Sequence, residues 1–228
     1  MKFLDLNQGP VQKWVGGIER RVAFLDAGAR QIALMHQDYH PGCELPRHRH
    51  ARTEQVMVCL EGEGRLLLAD RAEPFGPWDA VWAPAGQVHG FTNPSDAPCR
   101  ALVFQTPPTD AAEESREVTE PAEDVAARPT VVHDIRTVPE NPNRPGKWRE
   151  IFTAQNKGMR LVLDHITLRA GQALSMPAGR RESIMVVVEG VAKVRSNRLW
   201  PMAANSVLLI QPVDSDVPVV AGREGAVL

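Results

Sequence analysis

The sequence predicts an all-β chain organised as two related halves, and three observations carry that prediction. Short apolar runs separated by turn residues recur along the chain, with no long stretch of 3.6-residue periodicity. The 19 prolines and 17 glycines supply frequent turns. The pattern then returns once: Leu161 to Gly171 lies over Ile32 to Gly42, and Val186-Val187-Val188-Glu189-Gly190 over Val58-Cys59-Leu60-Glu61-Gly62. With 228 residues, each half has enough chain for a core of its own.

In chain order, Gln31 to Met35, Val56 to Leu60, Arg65 to Leu68, Ala80 to Ala83 and Arg100 to Gln105 read as strands of the first half. From Pro107 to Pro129 the composition changes. Asp110, Glu113, Glu114, Glu117, Glu120, Glu123 and Asp124 face only Arg116 and Arg128. This segment reads as an acidic linker, with a helical turn or two around Ala111 to Val118. The resulting organisation is an N-terminal domain at 1–107, a linker at 108–129 and a C-terminal domain at 130–228.

A formal net charge of −2 provides no general field for nucleic acid or an anionic membrane surface. No run of about 18 apolar residues suggests a membrane helix. The first residues, Met1-Lys2-Phe3-Leu4-Asp5-Leu6-Asn7, lack an apolar core of signal-peptide length, so a cytoplasmic location is expected. Cys43, Cys59 and Cys99 are odd in number and scattered, which fits reduced thiols better than a disulfide framework.

The chemistry is concentrated between Gly42 and Asn93. The chain reads Gly42-x5-His48-x-His50-x4-Gln55-x6-Gly62, then Pro84-x-Gly86-x2-His89-x3-Asn93. Side chains two apart on a strand share a face, so His48 and His50 can close on one ion. Gln55 extends the grip from the next strand, and a turn carries His89 toward the pair. A single His-x-His pair is an ordinary feature of turns. Three imidazoles and an amide oxygen in order make a divalent-metal site.

Both halves of this pattern together resemble the two motifs of the cupin family, and the resemblance extends over nearly the whole chain. It implies a bicupin: two jelly-roll cupin β-barrels joined by the acidic linker. The metal ligands it implies are His48, His50, Gln55 and His89. Cupin spacing also admits Glu54 in place of Gln55, while counting back six residues from Gly62 selects Gln55. Glutamine leaves a divalent site formally at +2 and makes the ion a stronger Lewis acid. If Gln55 points inward, Met57 and Cys59 follow it.

Phe91 and Trp82 are further pocket candidates, with Tyr39 and His40 weaker ones. Arg47 and Arg49 should face away from the ion. Trp78 occupies the place of a usual glycine, so a shifted turn using Gly76-Pro77 is expected there. In the second half, Pro177 and Gly179 stand where His48 and His50 stand in the first, and no histidine stands for His89. That half is expected to hold no metal.

Three activities fit such a site. The first is a non-haem dioxygenase, with Fe(II) favoured over Mn, Ni or Zn, acting on a small organic substrate. The second is a redox-neutral isomerase, lyase or decarboxylase, which needs a proton carrier; Glu44 and an unligated Glu54 are the catalytic candidates. The third is a non-enzymatic small-ligand-binding protein. The resemblance also suggests a homodimer.

Overall fold

The computed structural model describes residues 1–109, 115–117, 129–153, 159–177, 179–212 and 216–228. The first half contains β1 (Lys2–Asp5), β2 (Val11–Trp14), β3 (Gly17–Ala23), β4 (Ala33–Tyr39), β5 (Glu44–His50), β6 (Glu54–Glu61), β7 (Gly64–Leu67), β8 (Ala72–Phe75), β9 (Ala80–Ala83), β10 (His89–Thr92) and β11 (Cys99–Thr106). Then come β12 (Ser115–Glu117), β13 (Thr130–Val132), β14 (Lys147–Phe152), β15 (Leu163–Leu168), β16 (Ala173–Met176), β17 (Ser183–Val186), β18 (Glu189–Arg195), β19 (Leu199–Ala203), β20 (Ser206–Ile210) and β21 (Val217–Val227). Among the described residues the helical content is one 3-10 turn, Ile135–Thr137. The described residues are all-β, and among them no helix is long and apolar enough to cross a membrane.

Two sheets form the first half, ordered β13-β9-β6-β11-β4-β3-β2 and β12-β5-β10-β7-β8. Their inner faces enclose a core that includes Tyr39, Met57, Cys59, Leu66, Phe75, Phe91 and Val103. The second half pairs a sheet ordered β1-β20-β17 with one ordered β14-β15-β21-β18-β19, from which β16 branches off β21. Its core includes Trp148, Leu168, Met185, Val194 and Val219.

The alternation of β6 explains how the halves meet. Met57 and Cys59 point into the first core, whereas Val56 and Val58 point the other way. That outer face joins Trp82 and Leu102 to Phe152, Leu161 and Val186 of the second half in a third apolar cluster. Each half also lends a strand to the other. β1 pairs with β20, Phe3 opposite Leu208, and β13 pairs with β9, Val131 opposite Val81. The sequence boundaries give no hint of this exchange.

Two buried carboxylates repeat the reciprocity. Glu54 accepts from the Arg160 and Leu161 amides at 3.0 and 2.8 Å, and Glu182 accepts from those of Arg30, Gln31 and Ile32 at 3.0, 2.7 and 2.9 Å. When Val186–Gly190 is laid over Val58–Gly62, Glu182 falls on Glu54. The turn glycines repeat too, with φ of 77° at Gly62 and 75° at Gly190, and 73° at Gly42 and 71° at Gly171.

Two local expectations are corrected. Ser115–Glu117 forms β12 on the edge of β5, Ser115 opposite His50 and Glu117 opposite His48, where a helical turn was expected. The open edge of β5 offers its backbone groups a partner, and pairing satisfies them. The rest of that expected turn lies outside the described residues. The turn before Asp79 does use Gly76 and Pro77, the Asp79 amide donating to the Gly76 carbonyl at 3.0 Å, but its positive φ falls on Trp78, at 71°, and not on Gly76. Such a conformation costs a bulky residue about 1–3 kcal/mol. It is held by the Trp78 amide donating to the Cys59 carbonyl at 2.8 Å and by the Ile135 amide donating to the Trp78 carbonyl at 2.8 Å.

Candidate metal centre

β5 brings His48 and His50 inward on one face, as strand alternation requires. β10 runs antiparallel beside it and sets His89 directly opposite His48. The register shifts between His89 and Phe91, and Gly90 sits at that irregularity. A Cβ at Gly90 would lie 2.7 Å from the Leu45 carbonyl oxygen and 2.9 Å from that of Pro46. Glycine there lets the two ligand strands approach.

The three rings are buried, with centroids 4.5 to 5.2 Å apart. One ring nitrogen from each falls within 4.8 Å of the others. His48 Nδ1 lies 2.8 Å from the Pro46 carbonyl oxygen and His89 Nδ1 lies 3.1 Å from that of Gln87. These backbone acceptors fix the protons on Nδ1 and leave Nε2 as a lone pair. Burial lowers the pKa of both, that of His89 well below the ordinary range, with His48 and His50 adding to the effect. Neutral imidazole is the metal-binding form.

Gln55 supplies the observation that bears most directly on an ion. Gln105 donates its side-chain amide to the Thr109 carbonyl, so its Oε1 faces Gln55, whose amide nitrogen lies 3.4 Å away. That orientation turns Gln55 Oε1 toward His89 Nε2 at 3.2 Å. A neutral His89 carries one proton and faces an oxygen on both ring nitrogens. With that proton on Nδ1, two lone pairs converge at Nε2, an arrangement a bound cation satisfies. The residues present therefore fit a divalent metal: His48, His50, His89 and Gln55 would hold it.

Other expected residues separate by face. Met57, Phe91 and Tyr39 line a cavity of about 270 Å3 beside the histidines. Cys59 sits deeper in the same core, 3.8 Å from Cys99, and all three cysteines are free and buried. Trp82 belongs to the apolar cluster between the halves. Glu54 faces the second half, and its parity with Val56 turns it away from the histidines. Glu44 is exposed at the start of β5 and does not line the cavity, because the strand carries it out past the rim. His40 is exposed as well. Asn93 is structural: its amide donates to the carbonyls of Tyr39 and Ala97.

Sequence reasoning missed Gln105 and the rim. Gln105 is directly opposite Gln55 on β11, a partnership visible only once register is known. The rim of the cavity carries Gln12, Glu19, Arg21 and Gln37. Arg21 bridges Glu19 at 3.1 Å and Gln12 at 2.7 Å, and Gln37 donates to Glu19 at 3.1 Å. These come from β2, β3 and β4, where polar residues on strand faces look like ordinary solvated positions.

Residues 35–105 match the family described as Cupin domain. Coconut allergen cocosin has a similar fold, with 11% identity, a TM-score of 0.74 and coverage of 99% of this chain and 83% of its own. Oxalate decarboxylase from Bacillus subtilis superposes with a TM-score of 0.72 at 14% identity, covering 99% of this chain and 74% of that one. For Lactobacillus farciminis oxalate decarboxylase the values are 0.71, 15%, 99% and 83%. A search of curated proteins gave no match. The family match is confined to residues 35–105, and at 11–15% identity the likeness to these structures is one of fold.

Proposed function

We propose that the chain is a bicupin with one divalent-metal centre, in its N-terminal jelly-roll domain, and that it is a non-haem metal-dependent dioxygenase of a small organic substrate. The reading rests on one observation: the lone pairs of the His89 imidazole and the Gln55 amide oxygen are aimed at one point, beside His48 and His50. Fe(II) suits three imidazoles and one neutral oxygen, and would supply Lewis acidity and a place for O2.

The chain's own residues do the rest. Pro46 and Gln87 carbonyls hold two imidazoles in the ligating tautomer, and Gln105 holds the amide of Gln55. Phe91, Met57 and Leu66 exclude water from the cavity floor, while Gln12, Gln37 and Arg21 provide polar contacts at its rim. A volume of about 270 Å3 limits the substrate to a small molecule. Neither Glu44 nor Glu54 reaches the site, which removes both proton carriers foreseen for a redox-neutral reaction.

Glu19 keeps a second reading in view. It lines the cavity, accepts from Gln37 and pairs with Arg21, which places a carboxylate at the rim where an isomerase, lyase or decarboxylase would need a base. Oxygen uptake by Fe(II)-loaded protein, screened against small enols, catechols and carboxylic acids, separates the two. Turnover coupled to O2 supports the dioxygenase, and undiminished turnover in anaerobic buffer refutes it. Loss of turnover in Glu19→Gln with metal retained would then favour the redox-neutral reaction. Retention of stoichiometric metal by both His48→Ala and His89→Ala would refute the metal centre itself.

A further inference from the structure

A second cavity, larger than the one beside the histidines, lies between the two halves. It measures about 720 Å3 and is lined by apolar side chains from both, among them Val56 and Val58 of β6, Leu161, and Ile184 of β17. Protein interiors ordinarily leave few voids larger than a water molecule. Apolar cavities of this size are those that take up small organic molecules, provided a few polar groups fix one end of the ligand.

His165 of β15 supplies such a group. Its side chain lines the cavity, is 5% exposed, and has no hydrogen-bond partner on either ring nitrogen. Buried polar groups are ordinarily satisfied, which marks this ring as open to a partner from outside the chain. Burial pushes its pKa down to about 4, so at neutral pH the ring offers one N–H donor and one lone pair. Trp78, which lines the same cavity, meets the ring edge-on at 5.4 Å and gives a ligand an aromatic wall beside this polar point.

The charged groups around the cavity decide which partner fits. Asp164 lines it with one carboxylate oxygen unpartnered, so a ligand carboxylate would meet a like charge. Glu182 also lines it, but its carboxylate is taken up by the amides of Arg30, Gln31 and Ile32. On the other side the Arg136 guanidinium already lies over the Trp78 ring, 5.4 Å from its centroid, which disfavours a ligand cation there. Arg30, Arg160 and Arg181 line the cavity too, yet all three are exposed, where water and salt screen them. A neutral hydroxyl avoids both conflicts. Because it donates and accepts, it complements either nitrogen of His165 in either tautomer.

We propose that this inter-half cavity is a second, metal-independent binding site for a small, neutral, hydroxyl-bearing hydrocarbon, its hydroxyl received by His165 and its apolar body held among Val56, Val58, Leu161 and Ile184. The site does not depend on the metal centre or on the reaction proposed for it.

Calorimetric titration of the full-length, metal-loaded protein with 2-naphthol tests this, against naphthalene, 2-naphthoate and 2-naphthylmethylamine, which share its body and differ in the polar group. Saturable binding of 2-naphthol at one site per chain is expected, about five-fold tighter than naphthalene, the worth of one hydrogen bond. Both charged analogues should bind at least about ten-fold more weakly than 2-naphthol. His165→Leu should lower 2-naphthol to the affinity of naphthalene without weakening naphthalene itself, and His165→Gln should keep most of the difference. Ile184→Trp, which fills the cavity, should abolish binding of both in a folded protein. Binding should survive in His48→Ala, which separates this site from the metal centre. Absence of saturable 2-naphthol binding to the folded wild-type chain would overturn the assignment. So would a charged analogue or naphthalene binding as tightly as 2-naphthol, wild-type affinity in His165→Leu or in Ile184→Trp, or loss of binding in His48→Ala.

Discussion

Glu54 had two possible roles, metal ligand or contact between the halves, and replacing it separates them quantitatively. In the structure its carboxylate is 2% exposed and takes the amides of Arg160 at 3.0 Å and Leu161 at 2.8 Å, with the Arg160 Nε at 3.3 Å. Glu54→Ala leaves two backbone donors without an acceptor. The Leu161 amide is buried, whereas Arg160 is exposed enough for water to replace part of its loss. At about 1.5–2.5 kcal/mol for each such bond to a charged acceptor, the expected loss of stability is about 3–5 kcal/mol. For a chain of this size that corresponds to a fall in Tm of roughly 6–20 °C. Thermal and urea unfolding measure it, and elemental analysis of the same preparations measures metal. The expected result is a large stability loss with stoichiometric metal retained. Loss of metal with Tm unchanged after correction for metal content would refute the assignment and restore Glu54 as a ligand.

Other perturbations follow from the same geometry. Gln105→Leu removes the acceptor that orients Gln55 and should weaken metal affinity about 10–100-fold in a chelator competition, with the Tm of the metal-free protein lowered only modestly. Gly90→Ala drives a methyl group to 2.7 Å from the Leu45 carbonyl oxygen, so the β5–β10 pairing must open. The variant should lose both stability and metal, and an unchanged metal stoichiometry would contradict the role given to Gly90. His165 has its pKa pushed down to about 4, chiefly by burial and then by Arg149. The unfolded chain binds more protons between about pH 6.5 and 4, so the stability from neutral His165 is complete above pH 6.5 and is lost as pH falls toward 4. His165→Leu should flatten the urea-derived stability profile in that window, by up to about 3 kcal/mol at its acid end.

Much of the candidate site was legible because its geometry is local. His48-x-His50 depends only on strand alternation, and the six-residue count from Gly62 selects Gln55 because β6 runs straight to that turn. The same alternation was legible in principle for Trp82 and Glu54, yet both were placed at the pocket or left open to it. In a two-layer domain the outer face of β6 and β9 is expected to be solvated. Here it is covered by the second half, so apolar and acidic residues on that face are as buried as those inside. Gln105, Glu19 and Arg21 were not legible, since their roles come from register and from the convergence of strands distant in sequence. Trp78 was misread through its residue type: glycine is the usual solution to a positive φ, but hydrogen bonds on both sides of Trp78 hold the same conformation without it.

The two halves together distinguish what the architecture requires from what a ligand requires. The turn glycines recur in both, and so does the carboxylate that caps the partner's backbone, Glu54 in one and Glu182 in the other. Strand exchange also recurs, with β1 and β13 in equivalent positions. These features belong to the pairing of the halves. The histidines do not recur: Pro177 and Gly179 replace His48 and His50, and Ser183 stands opposite Gln55 in the repeat. A fold that builds its second half without these four side chains does not need them for packing. Three buried imidazoles also carry a desolvation cost that apolar residues would avoid. Their retention in the first half alone, with Gln105 and two backbone carbonyls arranged to orient them, is accounted for by the ion they would hold.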